Sequence, residues 1–241
     1  MFFFYENRNG LVAQLAEEAI KSCHALYSPT IPVGKVSLQK RKPLFTIIDD
    51  DASTHTQSIL YTIAGELGFK FGSCVILDRP QNNTPVFLNW DQLRTLQSDG
   101  HEILSHTMTH AHLGLIPESQ LDYELGTSRD ILLQQGFVAR HFVYPGGSYV
   151  KNNACEKTDT SVLNKVRNYY DSAWVINESI NKGELFNNYK GLLIGFDALG
   201  TLGSAKAAVD QIFANGGWLV LMMHVFQPQW ATPKNRKNYG I

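Results

Sequence analysis

From Pro43 onward the 241-residue chain alternates short β-branched and apolar runs with amphipathic stretches of helix length, and no other feature limits its fold as strongly. The runs that read as strands cover residues 44–49, 72–77, 102–105, 141–144, 173–176, 192–196 and 218–224. Helical periodicity marks 56–67, 90–99, 118–135, 161–170 and 204–215. Pro117-Glu118-Ser119 opens the third of these helices, and Gly136 stands where a terminating helix wants a left-handed residue. Strands separated by helices predict parallel pairing, and about seven of them predict an α/β barrel. Residues 1–42 have a different texture. Leu11, Leu15, Ala19 and Leu26 follow near-helical spacing before "SPTIPVGK" breaks it, so this stretch is expected to be a helical appendage and linker to one domain over 43–241.

Composition removes several roles. With 21 Lys+Arg against 22 Asp+Glu and 18% charged residues, there is no basic field to hold a phosphate backbone, and nucleic acid is not an expected partner. No apolar run reaches the roughly 18 residues that span a bilayer. The longest, "GGWLVLMMHVF", is interrupted by His224, so no transmembrane segment is expected. The opening "MFFFYENRNG" lacks the basic start, apolar stretch and cleavage site of a signal peptide. Cys23, Cys74 and Cys155 are odd in number and far apart, which argues against a disulfide framework or a cysteine metal site. Eight histidines point to imidazole chemistry instead.

In parallel α/β folds, function gathers at the carboxyl ends of the strands. The first predicted strand ends in Asp49-Asp50-Asp51, the third in "SHTMTH", the fourth in "YPGG" and the last in His224. Three adjacent carboxylates repel one another unless a cation or a proton neutralises them. One could cap the following helix, but capping does not need three. His106 and His110, four residues apart, would share one side of a helical turn and could point at one ion.

The segments "TIIDDDAS", "SHTMTH", "FVYPGG" and "LVLMMH", in this order, resemble the motifs of the polysaccharide deacetylases, the NodB-homology domain or carbohydrate esterase family 4, over roughly residues 43 to 226. The resemblance implies a distorted (β/α) barrel and metal-dependent removal of N-acetyl, or O-acetyl, groups from a glycan. It also implies one divalent ion, usually zinc, whose bound water attacks the acetyl carbonyl. On this chain the implied metal ligands are Asp51, His106 and His110, with Asp50 as general base and His224 as the acid for the leaving amine. Tyr144, Pro145 and Gly146 match the loop that lines the groove, with the Gly146 N–H as oxyanion donor and Tyr144 as pocket wall. An alternative register moves the carboxylate pair to Asp49 and Asp50. The first register is preferred because Ala52 then fills the family's glycine position with the smallest change.

Several positions depart from the family pattern. Val143 stands in the slot of an arginine that orients the base, with Arg140 three residues earlier as a substitute, and Asp197 is the candidate to tune the acid histidine. Only 17 residues follow His224, where family members usually add a closing helix and strand. An incompletely closed barrel is therefore expected at the C-terminus, through truncation or a different closure, and its open sheet edge would favour self-association. These departures support an alternative, a catalytically weakened carbohydrate-binding or structural module that keeps the fold and the metal site. The family is usually extracellular or cell-envelope, and the missing export signal leaves the location open. Among the remaining candidates, His112 is expected to border the site, and Trp230 is the one tryptophan considered for a sugar groove. Trp90, Trp174 and Trp218 are assigned to the core.

Overall fold

The computed structural model describes residues 43–151, 161–176, 180, 188–195 and 202–224. The N-terminal appendage, Asp197 and Trp230 lie outside these residues. Seven strands form, each within a residue or two of its predicted run. They are β1 (Leu44–Asp50), β2 (Gly72–Val75), β3 (Glu102–Ser105), β4 (His141–Val143), β5 (Ser172–Ile176), β6 (Gly191–Gly195) and β7 (Trp218–His224). All neighbours are parallel and the sheet closes on itself in chain order.

Closure corrects the expectation of an open C-terminal edge. β1 and β7 pair along seven residues, from Leu44 opposite Trp218 to Asp50 opposite His224, which is the longest seam in the barrel. The two longest strands, apolar along most of their length, meet each other and need no additional element. Among the described residues the barrel leaves no open sheet edge of the kind that would favour self-association. The barrel is uneven elsewhere, since β3 and β4 share a single register pair, Ser105 with Phe142.

Period-two alternation decides what fills the interior. Ile48, Cys74, Leu104, Val143, Trp174 and Leu193, one from each of β1 to β6, pack together with Val220 and Met222 of β7. Cys74 thus serves as a small buried apolar residue, while Cys23 and Cys155 lie outside the described residues. The large Trp174 fits because its neighbour on β6 is Gly191, where a Cβ would come within 2.3 Å of the indole.

Helices cover the outer face. The helix Trp90–Ser98 opens on a capping box, in which the Asn89 side chain accepts from the Gln92 N–H and the Asn89 N–H donates to Gln92 Oε1. The third predicted helix begins at Glu118 as read, and Gly136 beyond its end has φ +86°. It is not a uniform α-helix, however. A π-helical turn over Tyr123–Thr127 separates Glu118–Asp122 from Ser128–Gln134. An apolar period cannot reveal this, because the buried stripe of Leu121, Leu125 and Leu132 survives the extra residue.

Candidate functional site

The three carboxylates at the end of β1 separate by strand alternation. Ile48 belongs to the barrel interior, so Asp50 points toward the interior at the mouth and Asp49 points outward. Asp49 Oδ2 accepts hydrogen bonds from Thr56 Oγ1 at 2.7 Å and Ser73 Oγ at 2.9 Å. Asp51 leaves the strand with φ +70° and Ala52 follows with φ +52°. This turn aims Asp51 back over the mouth, where Oδ1 lies 3.7 Å from His106 Nε2 and 3.5 Å from His110 Nε2.

The two histidines meet, but not on a helical turn. Thr107 has φ +67° and His110 φ +69°, so the segment after β3 is a loop, and the helical reading of the spacing is corrected. The loop's backbone oxygens accept from outside the loop: Thr107 O accepts from Leu77 N at 3.2 Å and Met108 O from Asp78 N at 3.0 Å. The rings still converge, with centroids 4.9 Å apart. His106 Nδ1 stands 2.8 Å from the Val143 carbonyl oxygen. A carbonyl only accepts, so Nδ1 carries a proton, and in the neutral ring the Nε2 lone pair faces the mouth.

His224 arrives through the β1–β7 seam. As the register partner of Asp50 it puts Nε2 3.3 Å from Asp50 Oδ2. Four of the five non-glycine residues with positive φ among the described residues, Asp51, Ala52, Thr107 and His110, belong to this cluster, the fifth being Asn83. Such backbone costs of order 1–3 kcal/mol per residue and concentrates at sites that use it.

The donor set suits a small divalent cation. Asp50 Oδ1, Asp51 Oδ1 and His106 Nε2 are buried without a hydrogen-bond partner, and all three converge on the mouth. Buried polar atoms are rarely left so. Donors at about 2.1 Å around a tetrahedral ion lie about 3.4 Å apart, close to the spacing of Asp51 Oδ1 from the two ring nitrogens. The donor atoms of Asp51, His106 and His110 lie within 4.8 Å of one another, as do those of Asp50, Asp51 and His224.

Electrostatics separate the groups further. Burial pushes Asp49 up to about 8, and the hydrogen bonds from Thr56 and Ser73 only partly offset it. Burial also acts upward on Asp50, but His106, then His224 through a hydrogen bond as well as electrostatics, and His110 outweigh it and hold this carboxyl below the usual range. Asp51 is raised, by burial first and then by Asp50. Burial, then His106, pushes His110 down to about 3, which keeps its lone pair free at neutral pH. The Cys74 thiol is raised well above its ordinary value by burial and then by the carboxylates.

The remaining candidates divide. Pro145–Gly147 form a single tight turn with Gly146 at φ +56°, where a Cβ would stand 2.5 Å from His112 Cε1. The His112 ring lies edge-on to His110 with centroids 6.2 Å apart, so this loop and His112 border the cluster. Tyr144 does not form pocket wall. It is fully buried beneath the helices with Phe142, Leu121 and Leu125, because alternation turns it to the outer face. Arg140 cannot replace the missing arginine, since it precedes β4 at the opposite mouth and pairs with Asp171 at 2.7 Å. Two charged neighbours escaped the sequence reading. Arg79 lies over the Phe87 ring and lowers Asp51, and nothing in its spacing marks it. Glu124 was detectable, as a carboxylate on the buried stripe of its helix.

Comparison with known proteins agrees with the barrel fold. Residues 38–161 match the polysaccharide deacetylase family. A gellan lyase from a Bacillus species is 32% identical over 114 residues, which are 46% of this chain, and the match spans only 4% of that protein's length. Among solved structures, a polysaccharide deacetylase from Bacillus cereus superposes with a TM-score of 0.61 at 19% identity, covering 82% of this chain and 61% of the other. The Streptococcus pyogenes deacetylase PplD in complex with acetate gives a TM-score of 0.55 at 18% identity, covering 76% and 81%. These structural likenesses show the barrel, and the family match extends over more than half of the sequence. The chain belongs to the polysaccharide deacetylase family.

Proposed function

We propose that the chain hydrolyses acetyl groups, N-acetyl in the first instance, from an acetylated polysaccharide, with one divalent cation held by Asp51, His106 and His110. The observation that carries this reading is the convergence of the unpartnered Asp50 Oδ1, Asp51 Oδ1 and His106 Nε2 on one buried point. A donor set of two imidazoles and one carboxylate suits zinc. When bound, such an ion lowers the pKa of a water and polarises the acetyl carbonyl.

The chain's own groups do the rest. Asp50 is the general base: its carboxylate stands at the mouth 3.4 Å from His106 Nε2 and 3.3 Å from His224 Nε2, where it would face a water held by the proposed ligands. His224, its register partner, is the general acid that delivers a proton to the departing nitrogen. The N–H of Gly146, in the turn beside His112, is the candidate donor to the oxyanion. Asp49, bound to Thr56 and Ser73, supports the β1 end from outside and takes no proton from substrate.

Metal analysis and acetate release from N-acetylglucosamine polymers, peptidoglycan and O-acetylated glycans test this together. We expect close to one zinc per chain, one free amine exposed on an N-acetylated polymer for each acetate released, loss of both zinc and activity on chelation, and recovery with one equivalent of zinc. A protein that retains no metal and frees no acetate from any of these substrates would overturn the proposal.

A further inference from the structure

We infer that Glu124 is a positioning residue that fixes the separation of the two histidine ligands, an inference that rests on the metal reading above. Its carboxylate is buried and reaches into the loop between His106 and His110. Oε2 accepts from the Met108 N–H at 3.0 Å and the Thr109 N–H at 2.9 Å, and Oε1 accepts from Thr109 Oγ1 at 2.7 Å. The Glu124 carbonyl oxygen is a further acceptor for Met108 N, at 3.2 Å. Three donors on one carboxylate, two of them backbone, leave the loop little freedom.

This loop needs such a clamp. It has left-handed residues at Thr107 and His110, and without helical hydrogen bonds of its own it would relax toward less strained conformations. Both histidines would then move, since each lies within two residues of a clamped amide. The π-helical turn explains how the carboxylate arrives. Tyr123–Thr127 adds a residue to the turn that carries Glu124. Ser128 anchors the turn from below: its hydroxyl stands 2.7 Å from the Glu124 carbonyl oxygen and 2.9 Å from both Leu125 O and Tyr170 Oη. Glu124 contacts the ligand loop and none of the proposed reacting groups, so its effect runs through ligand geometry.

The test compares Glu124→Ala, Glu124→Gln and Ser128→Ala in the full chain. Zinc affinity is measured by chelator competition, and the unfolding midpoint is measured on the metal-free protein. Loss of outer contacts to metal ligands typically weakens binding about 10- to 100-fold. We expect that range for Glu124→Ala. Glu124→Gln, which keeps the side-chain length and one acceptor, should regain part of the loss, and substrate KM should be unchanged. Ser128→Ala should lower the unfolding midpoint more than it lowers zinc affinity. Wild-type affinity in Glu124→Ala, or in Glu124→Gln if the alanine variant does not fold, would overturn the inference while leaving the metal reading intact. So would an equal loss of affinity in Ser128→Ala. If the wild-type chain itself binds no zinc, the metal reading fails, and this inference fails with it.

Discussion

The two mouths of the barrel carry similar residues and use them in opposite ways. At the amino end, a cavity of about 370 Å³ is bordered by Glu102, Arg140, His141, Asp171, Trp174 and Trp218. Its polar groups satisfy one another. Arg140 Nε donates to Asp171 at 2.7 Å, His141 bridges Glu102 and Ser172, and Trp218 Nε1 donates to Thr46. At the carboxyl end, the acidic and imidazole groups are more deeply buried, and Asp50 Oδ1, Asp51 Oδ1 and His106 Nε2 face the mouth without a hydrogen-bond partner. Space and charge are therefore poor guides to function in this molecule, because both mouths have them. What distinguishes the carboxyl end is that burial without partners, and strained backbone, have been tolerated there.

If that contrast is functional, substitutions at the two ends should have unlike consequences. The largest effect is expected for Asp50→Asn, which keeps the shape of the site but removes the base. Loss of positioned acid–base catalysis lowers kcat by about 10²- to 10⁴-fold. Zinc content should be retained, since the proposed ligands are untouched. Measuring acetate release and metal on the same sample checks both parts, and loss of the metal would instead make Asp50 a ligand.

A smaller, pH-dependent effect is expected at the amino end. His101, just ahead of β3, is pushed down to about 4 from 6.5, by burial first and then by Lys70, and its Nδ1 accepts from the Phe71 N–H. Because the folded value is the lower one, the unfolded chain binds the extra proton between these pH values. The contribution is complete above about pH 6.5 and is lost as the pH falls toward 4. Allowing for solvent screening, this amounts to ~1–2 kcal/mol. Urea titrations at pH 7 and 4.5 should show it, and His101→Gln should shrink the difference between them.

The smallest effect is expected for Arg140→Ala. Its ion pair with Asp171 is exposed, and exposed pairs contribute little. Metal content, kcat and unfolding midpoint should all stay at wild-type levels. A fall in kcat would restore Arg140 as a functional residue and erase the contrast between the two ends.

The sequence made most of the architecture legible because alternation of strand and helix is written directly in apolar spacing. The positions of Asp50, Asp51, His106, His110 and His224 at strand ends were readable for the same reason. Barrel closure was misjudged because strand pairing is a long-range property. No local signal in "WLVLMMH" says that it will zip along all seven residues of β1. The histidine pair was read as helical from spacing alone, yet its geometry depends on Glu124 and on Leu77 and Asp78 N–H groups from elsewhere in the chain. Tyr144 was misplaced by reading a motif as a unit, when alternation within the strand sends neighbouring residues to opposite faces.

The β1–β7 seam also has a consequence in time. The proposed metal donors are all present once a growing chain has passed β3, whereas His224 follows Asp50 by about 170 residues. Contacts of such separation form late, since the entropy of closing the intervening loop opposes them. The Glu124 clamp and the Val143 carbonyl that hold the histidine loop also precede β7, so the proposed ligands would be assembled before the proposed acid. Under that proposal, a chain caught before the last pairing would bind metal without turning over substrate.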